Sequence, residues 1–264
     1  MASRFRSLGL AAVLSALGVL APAQEGFEVQ TPGVLRVLVQ AEGLKELFAL
    51  DKPNGLEREL LQGFATLHGL KMEIVTVPAT AEWIPWLLAG KGDVIAGGLV
   101  ATESRKKLVA FTAETFPIRH LAVNRKPRPP ILTLEALRAE RVGVLKGSSW
   151  AEEALAAGVP KAHLDDSYAS GDKLFEALQS GTVSAVVMSV IWAMVEKKTA
   201  PDLQFGLMLG APTGIGFAVR KDEPKLLAAL NEYVVNSRKT PTWSRLVVKH
   251  FGDDALEVLK RSRE

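Results

Sequence analysis

The sequence predicts an α/β fold in two lobes. Short apolar runs alternate with amphipathic helical runs through residues 35–107, at the spacing of parallel βαβ units. A polar, proline-rich stretch at 117–130 interrupts that series and reads as a boundary rather than a strand interior. The alternation then resumes, so a second βαβ lobe is nested inside the first. With 264 residues, 48% hydrophobic and 23% charged, the chain can supply the cores of two modest domains.

The elements follow in order. Residues 35–39 alternate as a first strand, 57–68 form an amphipathic helix ended by Gly69, and 71–77 form a second strand. Residues 81–88 are a helix-competent run closed by Gly90, which supplies a left-handed residue. Residues 93–96 make a short buried strand, and Gly97-Gly98 follows, where a backbone can approach a ligand closely. Thr102 N-caps a helix carrying Arg105, Lys106 and Lys107, with Arg105 in its second turn. A strand, a glycine pair and such a helix make a candidate anion site. The same residues also fit an ordinary βα turn with a solvated basic helix. In the second lobe Thr133 caps a short helix, 142–145 form a strand, and the turn 146–149 opens a helix at Trp150. Residues 172–179 are helical, Gly181 breaks that helix, and 183–188 form a buried strand.

Composition narrows the function classes. Arg4 and Arg6, the apolar run 8–20 and Ala21-Pro22-Ala23 read as a secretory signal peptide over 1–23. That run is too short to favour a spanning helix, so the mature chain is expected to be exported and soluble, with no membrane insertion. There are no cysteines, hence no disulfide, no thiolate zinc site and no thiol nucleophile. The four histidines, His68, His120, His163 and His250, do not pair at metal-ligand spacing and read as structural or surface residues. No metal and no cofactor is expected. A net charge of +3 spread over scattered Lys and Arg gives no nucleic-acid footprint.

The run Ile84-Pro85, Leu87, Gly90-Lys91, 93–97, Thr102 and Arg105-Lys106-Lys107 resembles the signature of the family 3 extracellular solute-binding proteins, which serve polar amino-acid ABC transporters. Segments 54–60, 111–116, 214–220, 226–235 and 241–251 resemble further parts of that family, so the resemblance covers most of residues 33–252. It implies the type 2 periplasmic binding fold: two α/β lobes, a ligand cleft, and two crossover strands near 118–124 and 207–214. The first lobe would hold residues 24–120 and 211–264, the second 121–210.

The resemblance also implies binding residues. Arg105 matches the arginine that grips the ligand carboxylate, and Gly98 a position whose backbone faces the ligand. Ser148 and Ser149 match the hydroxyl pair that closes from the second lobe. Two positions depart from the pattern: the family's binding Thr is Val100 here, and its ammonium-pairing Asp is Ser189. A desolvated ammonium without a carboxylate partner costs several kcal/mol, which points toward an anionic ligand such as a carboxylate or a modified amino acid. Phe48 is the only aromatic residue over 41–49, where family members often sandwich the ligand. Trp150 and Trp192 read first as core, with a cleft wall as the alternative.

The implied role is non-catalytic. A monomer would capture a small anionic or zwitterionic ligand and deliver it to an ABC permease. The fold also resembles periplasmic cyclohexadienyl dehydratase, whose chemistry needs a general acid; Glu152 and Glu153 are the candidates for one. Residues 96–99 and 124–128 are similar to the regulatory domain of membrane-bound lytic transglycosylase F, which implies sensing of cell-wall fragments.

Overall fold

The computed structural model describes residues 26–264, apart from Glu42, Gly147, Ala169 and the side chain of Thr80. The signal peptide expected over 1–23 lies outside the described residues, as does Gly147 of the second-lobe turn. The chain begins with β1 (Val34–Gln40), α1 (Lys45–Phe48), α2 (Leu56–Leu67), β2 (Lys71–Val77), α3 (Trp83–Leu88), β3 (Val94–Ile95), α4 (Glu103–Lys106) and β4 (Ala110–Phe111). It continues through β5 (Phe116–Arg125), α5 (Leu134–Arg138), β6 (Val142–Leu145), α6 (Ser149–Ala156), β7 (Leu164–Tyr168), α7 (Gly171–Ser180), β8 (Ala185–Ser189), α8 (Val190–Thr199) and β9 (Leu203–Ile215). It closes with β10 (Ala218–Val219), α9 (Pro224–Lys239), α10 (Pro241–Phe251) and α11 (Ala255–Arg261).

Two five-stranded sheets result, in the orders β2-β1-β3-β10-β4 and β7-β6-β8-β5-β9. In the first sheet β1, β2 and β3 run parallel and β10 joins β3 antiparallel. In the second β6, β7 and β8 run parallel and β5, which enters first, pairs antiparallel with β8. Both lobes bury their sheets under helices for the reason their sequences suggest. In α2, Leu56, Leu60, Leu61 and Phe64 fall on one face and are buried. In β8 all five residues are buried, as expected for an interior strand covered on both faces.

One local expectation is overturned, and the crossover strand that the resemblance places near 118–124 is found there instead. The stretch from Pro117 is not a break in structure: β5 runs ten residues, Phe116–Arg125, and lies inside the second sheet between β8 and β9. Its polar end finds tertiary partners, although Asn124 Oδ1 has none among the described residues. Asn124 is buried and donates to the Pro129 carbonyl at 2.8 Å, and Arg125 pairs with Asp202 at 2.7 Å. Pro117 sits at the second position, next to Gly214 of β9, where a missing N–H is tolerated. β5 therefore carries the chain into the second sheet and β9 carries it out. The two strands pair from Phe116 with Ile215 to Arg125 with Leu203.

A second difference concerns the helix after Thr102. Thr102 does cap it, accepting from the Arg105 amide at 3.3 Å, but α4 is only four residues long. Val109, 1% exposed, is drawn into the core and turns the chain back toward β4. At the other end, α10 and α11 bear on the second lobe. Lys198 of α8 donates to the His250 carbonyl at 3.1 Å, and Arg261 donates to the Gly206 carbonyl at 2.7 Å.

Candidate functional site

A cleft of about 890 Å³ lies between the lobes. The first lobe lines it with Gln40, Leu44, Leu47, Trp83, Gly97, Gly98, Val100 and Arg105, and the second with His120, Ser149, Trp150, Ser189, Ile191 and Trp192. The first-lobe residues sit at the carboxyl ends of β1 and β3, where open α/β sheets hold ligands.

The Gly97-Gly98 turn works differently from the sequence expectation. Both glycines have positive φ, 98° and 103°, a region that disfavours a Cβ. In that conformation their amides point at Glu57, not into the cleft: Glu57 Oε2 accepts from Gly97 N at 2.6 Å and from Gly98 N at 2.9 Å. Glu57 is fully buried, and its other oxygen accepts from Thr115 Oγ1 at 2.5 Å. Burial pushes its carboxyl above the ordinary value, and these three hydrogen bonds oppose that. Its place in the first turn of α2 also favours a negative charge. Gly98 therefore lines the cleft, but its N–H is already used.

Arg105 is half-buried in the cleft and donates from Nη1 to the Val100 carbonyl at 3.0 Å. Burial lowers its pKa from the ordinary guanidinium value, and an arginine side chain in a protein stays charged. The rest of its fork has no acceptor among the described residues, so it can take a carboxylate. Val100 holds the arginine through its backbone, which needs no hydroxyl.

The second-lobe pair divides. Ser149 lines the cleft, with its hydroxyl 3.1 Å from His120 Nε2. Ser148 does not line it, and its hydroxyl donates to the Leu145 carbonyl at 2.6 Å. Ser148 makes no side-chain cap on α6, and Ser189 makes none on α8. The first-turn amides of both helices thus lack side-chain caps at the cleft, a favourable setting for an anion.

His120 corrects the reading of all four histidines as structural or surface residues. It lines the cleft from the middle of β5 and lies opposite Ser189 in register. Burial lowers its pKa from 6.5, so it is neutral at pH 7 and either donates to Ser149 or accepts from it. The other three play other parts. His250 is buried against Glu59, His68 packs on Phe27 and Phe64, and His163 bonds the Arg138 carbonyl.

The aromatic wall comes from the tryptophans. Trp150 and Trp192 line the cleft and meet edge to face at 6.4 Å, and Trp83 lines it from the first lobe. Phe48 is 2% exposed and sits behind that surface, its place taken by Leu44 and Leu47. Neither Glu152 nor Glu153 lines the cleft: Glu152 is exposed, and Glu153 lies against Gly210. The dehydratase reading therefore loses both acids named for it. Among the described lining residues there is no Asp or Glu, and Arg105 is the sole formal charge.

The sequence model of bacterial extracellular solute-binding proteins, family 3, matches residues 47–253. The chain belongs to that family. This family 3 protein is 29% identical over 181 residues to the histidine-binding periplasmic protein of Escherichia coli, covering 65% of this chain and 69% of that protein. It is 27% identical over 231 residues to the membrane-bound lytic murein transglycosylase F of Pseudomonas putida, covering 85% of this chain. It spans about half of that relative, 47%. Among solved structures it resembles the ancestral amino acid-binding protein AncCDT-1, described as a precursor of cyclohexadienyl dehydratase. The TM-score is 0.64 at 28% identity, over 83% of this chain and 96% of that one. The two sheets joined by β5 and β9 are the type 2 periplasmic binding fold of these proteins.

Proposed function

We propose that this solute-binding protein is exported to the periplasm, where it captures a small carboxylate-bearing solute between its lobes and presents it to an ABC permease. The observation that carries the reading is the composition of the cleft. Arg105 of the first lobe shares it with Ser149, Ser189 and the uncapped starts of α6 and α8 from the second. Each group favours an anion, and the two sides come from bodies joined by strands that can hinge. The lobes are divided as residues 24–120 with 211–264, and residues 121–210. The protein works as a monomer, without cofactor or catalysis, and Arg105, Ser149 and Ser189 contact the ligand through their side chains.

The test is a thermal-shift and calorimetric screen of amino acids, hydroxy acids and dicarboxylates against the mature chain and Arg105→Ala. A ligand that binds only the folded state raises the melting temperature by mass action. Arg105→Ala should weaken every hit about 100-fold while the unliganded protein melts as before. Equal affinity would remove Arg105 from the site. A second reading, sensing of cell-wall fragments, is favoured by the match to transglycosylase F over 85% of the chain. Binding of muropeptides in preference to free acids would establish it.

A further inference from the structure

The solute-binding reading leaves the chemical class of the ligand open, and the cleft narrows it. We infer that the cleft takes an ammonium-free carboxylic acid with a flat apolar body, its carboxylate on Arg105 and its body against Trp150 and Trp192. This rests on the reading above and adds the class of solute.

Two sets of residues carry it. The first is electrostatic. The described lining holds one guanidinium and no carboxylate, and the starts of two helices of 8 and 10 residues open on it. All of these stabilise negative charge, and none would neutralise an ammonium in a closed cleft. His120, neutral at pH 7, lies opposite Ser189 on the adjacent strand. Together with Ser149 it offers hydrogen bonds suited to a hydroxyl or carbonyl next to the carboxylate. The second set is apolar. Trp192 is half-buried and stands edge to face with Trp150, while Leu44, Leu47 and Ile118 line the same space. A planar ligand surface gains both area burial and ring contact on such a wall.

Four probes form a square: 3-phenyllactate, L-phenylalanine, lactate and L-alanine, each titrated by calorimetry. Phenyllactate should bind about 100-fold more tightly than phenylalanine and about 10-fold more tightly than lactate. Phenylalanine equal to or tighter than phenyllactate overturns the ammonium-free assignment, and lactate equal to phenyllactate overturns the apolar body. No binding of phenyllactate up to about 10 mM overturns the class. Trp192→Leu should weaken phenyllactate about 10-fold and leave lactate unchanged, and equal losses for both overturn the role of the wall. Ser189→Asp, which places a carboxylate in the cleft, should tighten phenylalanine about 10-fold, and no gain counts against the ammonium argument. Failure of the class and failure of the parent reading separate on Arg105→Ala. If other acids bind in an Arg105-dependent way while phenyllactate does not, only the class is wrong. If phenyllactate binds Arg105→Ala as well as the parent, the site itself is wrong.

Discussion

Two strand-to-helix turns face each other across the cleft, and they handle their backbone amides in opposite ways. After β3, the amides of Gly97 and Gly98 are spent inside the protein on the buried carboxylate of Glu57. After β6, Ser148 turns its hydroxyl away to Leu145 and leaves the start of α6 without a side-chain cap. The first lobe thus meets a ligand with a side-chain charge held on a rigid, self-satisfied turn. The second presents helix starts without side-chain caps and a Ser149 hydroxyl shared with His120. One side is set by internal electrostatics, and the other is completed only by what enters the cleft.

The largest break in this comparison comes from Glu57→Ala. It leaves two half-buried amides without their acceptor and the Thr115 hydroxyl with only the Ile215 carbonyl at 3.3 Å, and it should cost about 3 kcal/mol of unfolding free energy, read by urea denaturation. Glu57→Gln keeps one acceptor oxygen and should cost less. A loss no larger than that of a surface substitution would mean the glycine amides find other partners.

Next is the matched pair Ser149→Ala and Ser148→Ala. The first removes a cleft hydroxyl and should weaken ligand binding about 5-fold, or ~1 kcal/mol, with little change in stability. The second should leave affinity unchanged and lower stability by about 0.5 to 1 kcal/mol. The reverse pattern in calorimetry would exchange their roles.

The smallest effect is the pH dependence of His120. Its folded pKa lies below 6.5 because of burial, so the unfolded chain takes up the proton first. The stability tied to its neutral form is present above pH 6.5 and declines as pH falls toward the folded pKa. Ligand affinity moves the other way, because a protonated imidazole adds a second cation near the anion. His250 is shifted in the same direction by burial, so the informative quantity is the difference between the parent and His120→Gln. Identical pH profiles for the two would exclude His120 from both effects.

Much of this was legible in the sequence. The β3 strand and the Thr102 cap were readable because each depends on neighbours within a few residues, whereas Arg105, expected in a second turn, is the third residue of a one-turn helix. The length of α4 was not, since Val109 ends it by entering a core built from distant strands. Residues 117–125 misled for the same reason: proline and arginine argue locally for a boundary, yet flanking strands and the Asp202 ion pair make an interior strand. Glu57 opens the helix read over 57–68, and nothing local marks it as the acceptor for residues forty positions away. His120 was set aside because it pairs with no other histidine at metal-ligand spacing. Only the pairing of β5 with β8 places it beside Ser189.

The C-terminal helices bear on how far the cleft opens. Two crossing strands alone would form a joint with one soft axis. Here α8 of the second lobe is also held by Lys198 to the His250 carbonyl, and β9 by Arg261 to the Gly206 carbonyl. Any swing of one body against the other must slide or release these contacts. The C-terminal helices therefore tie α8 and β9 by two hydrogen bonds besides the links made by β5 and β9.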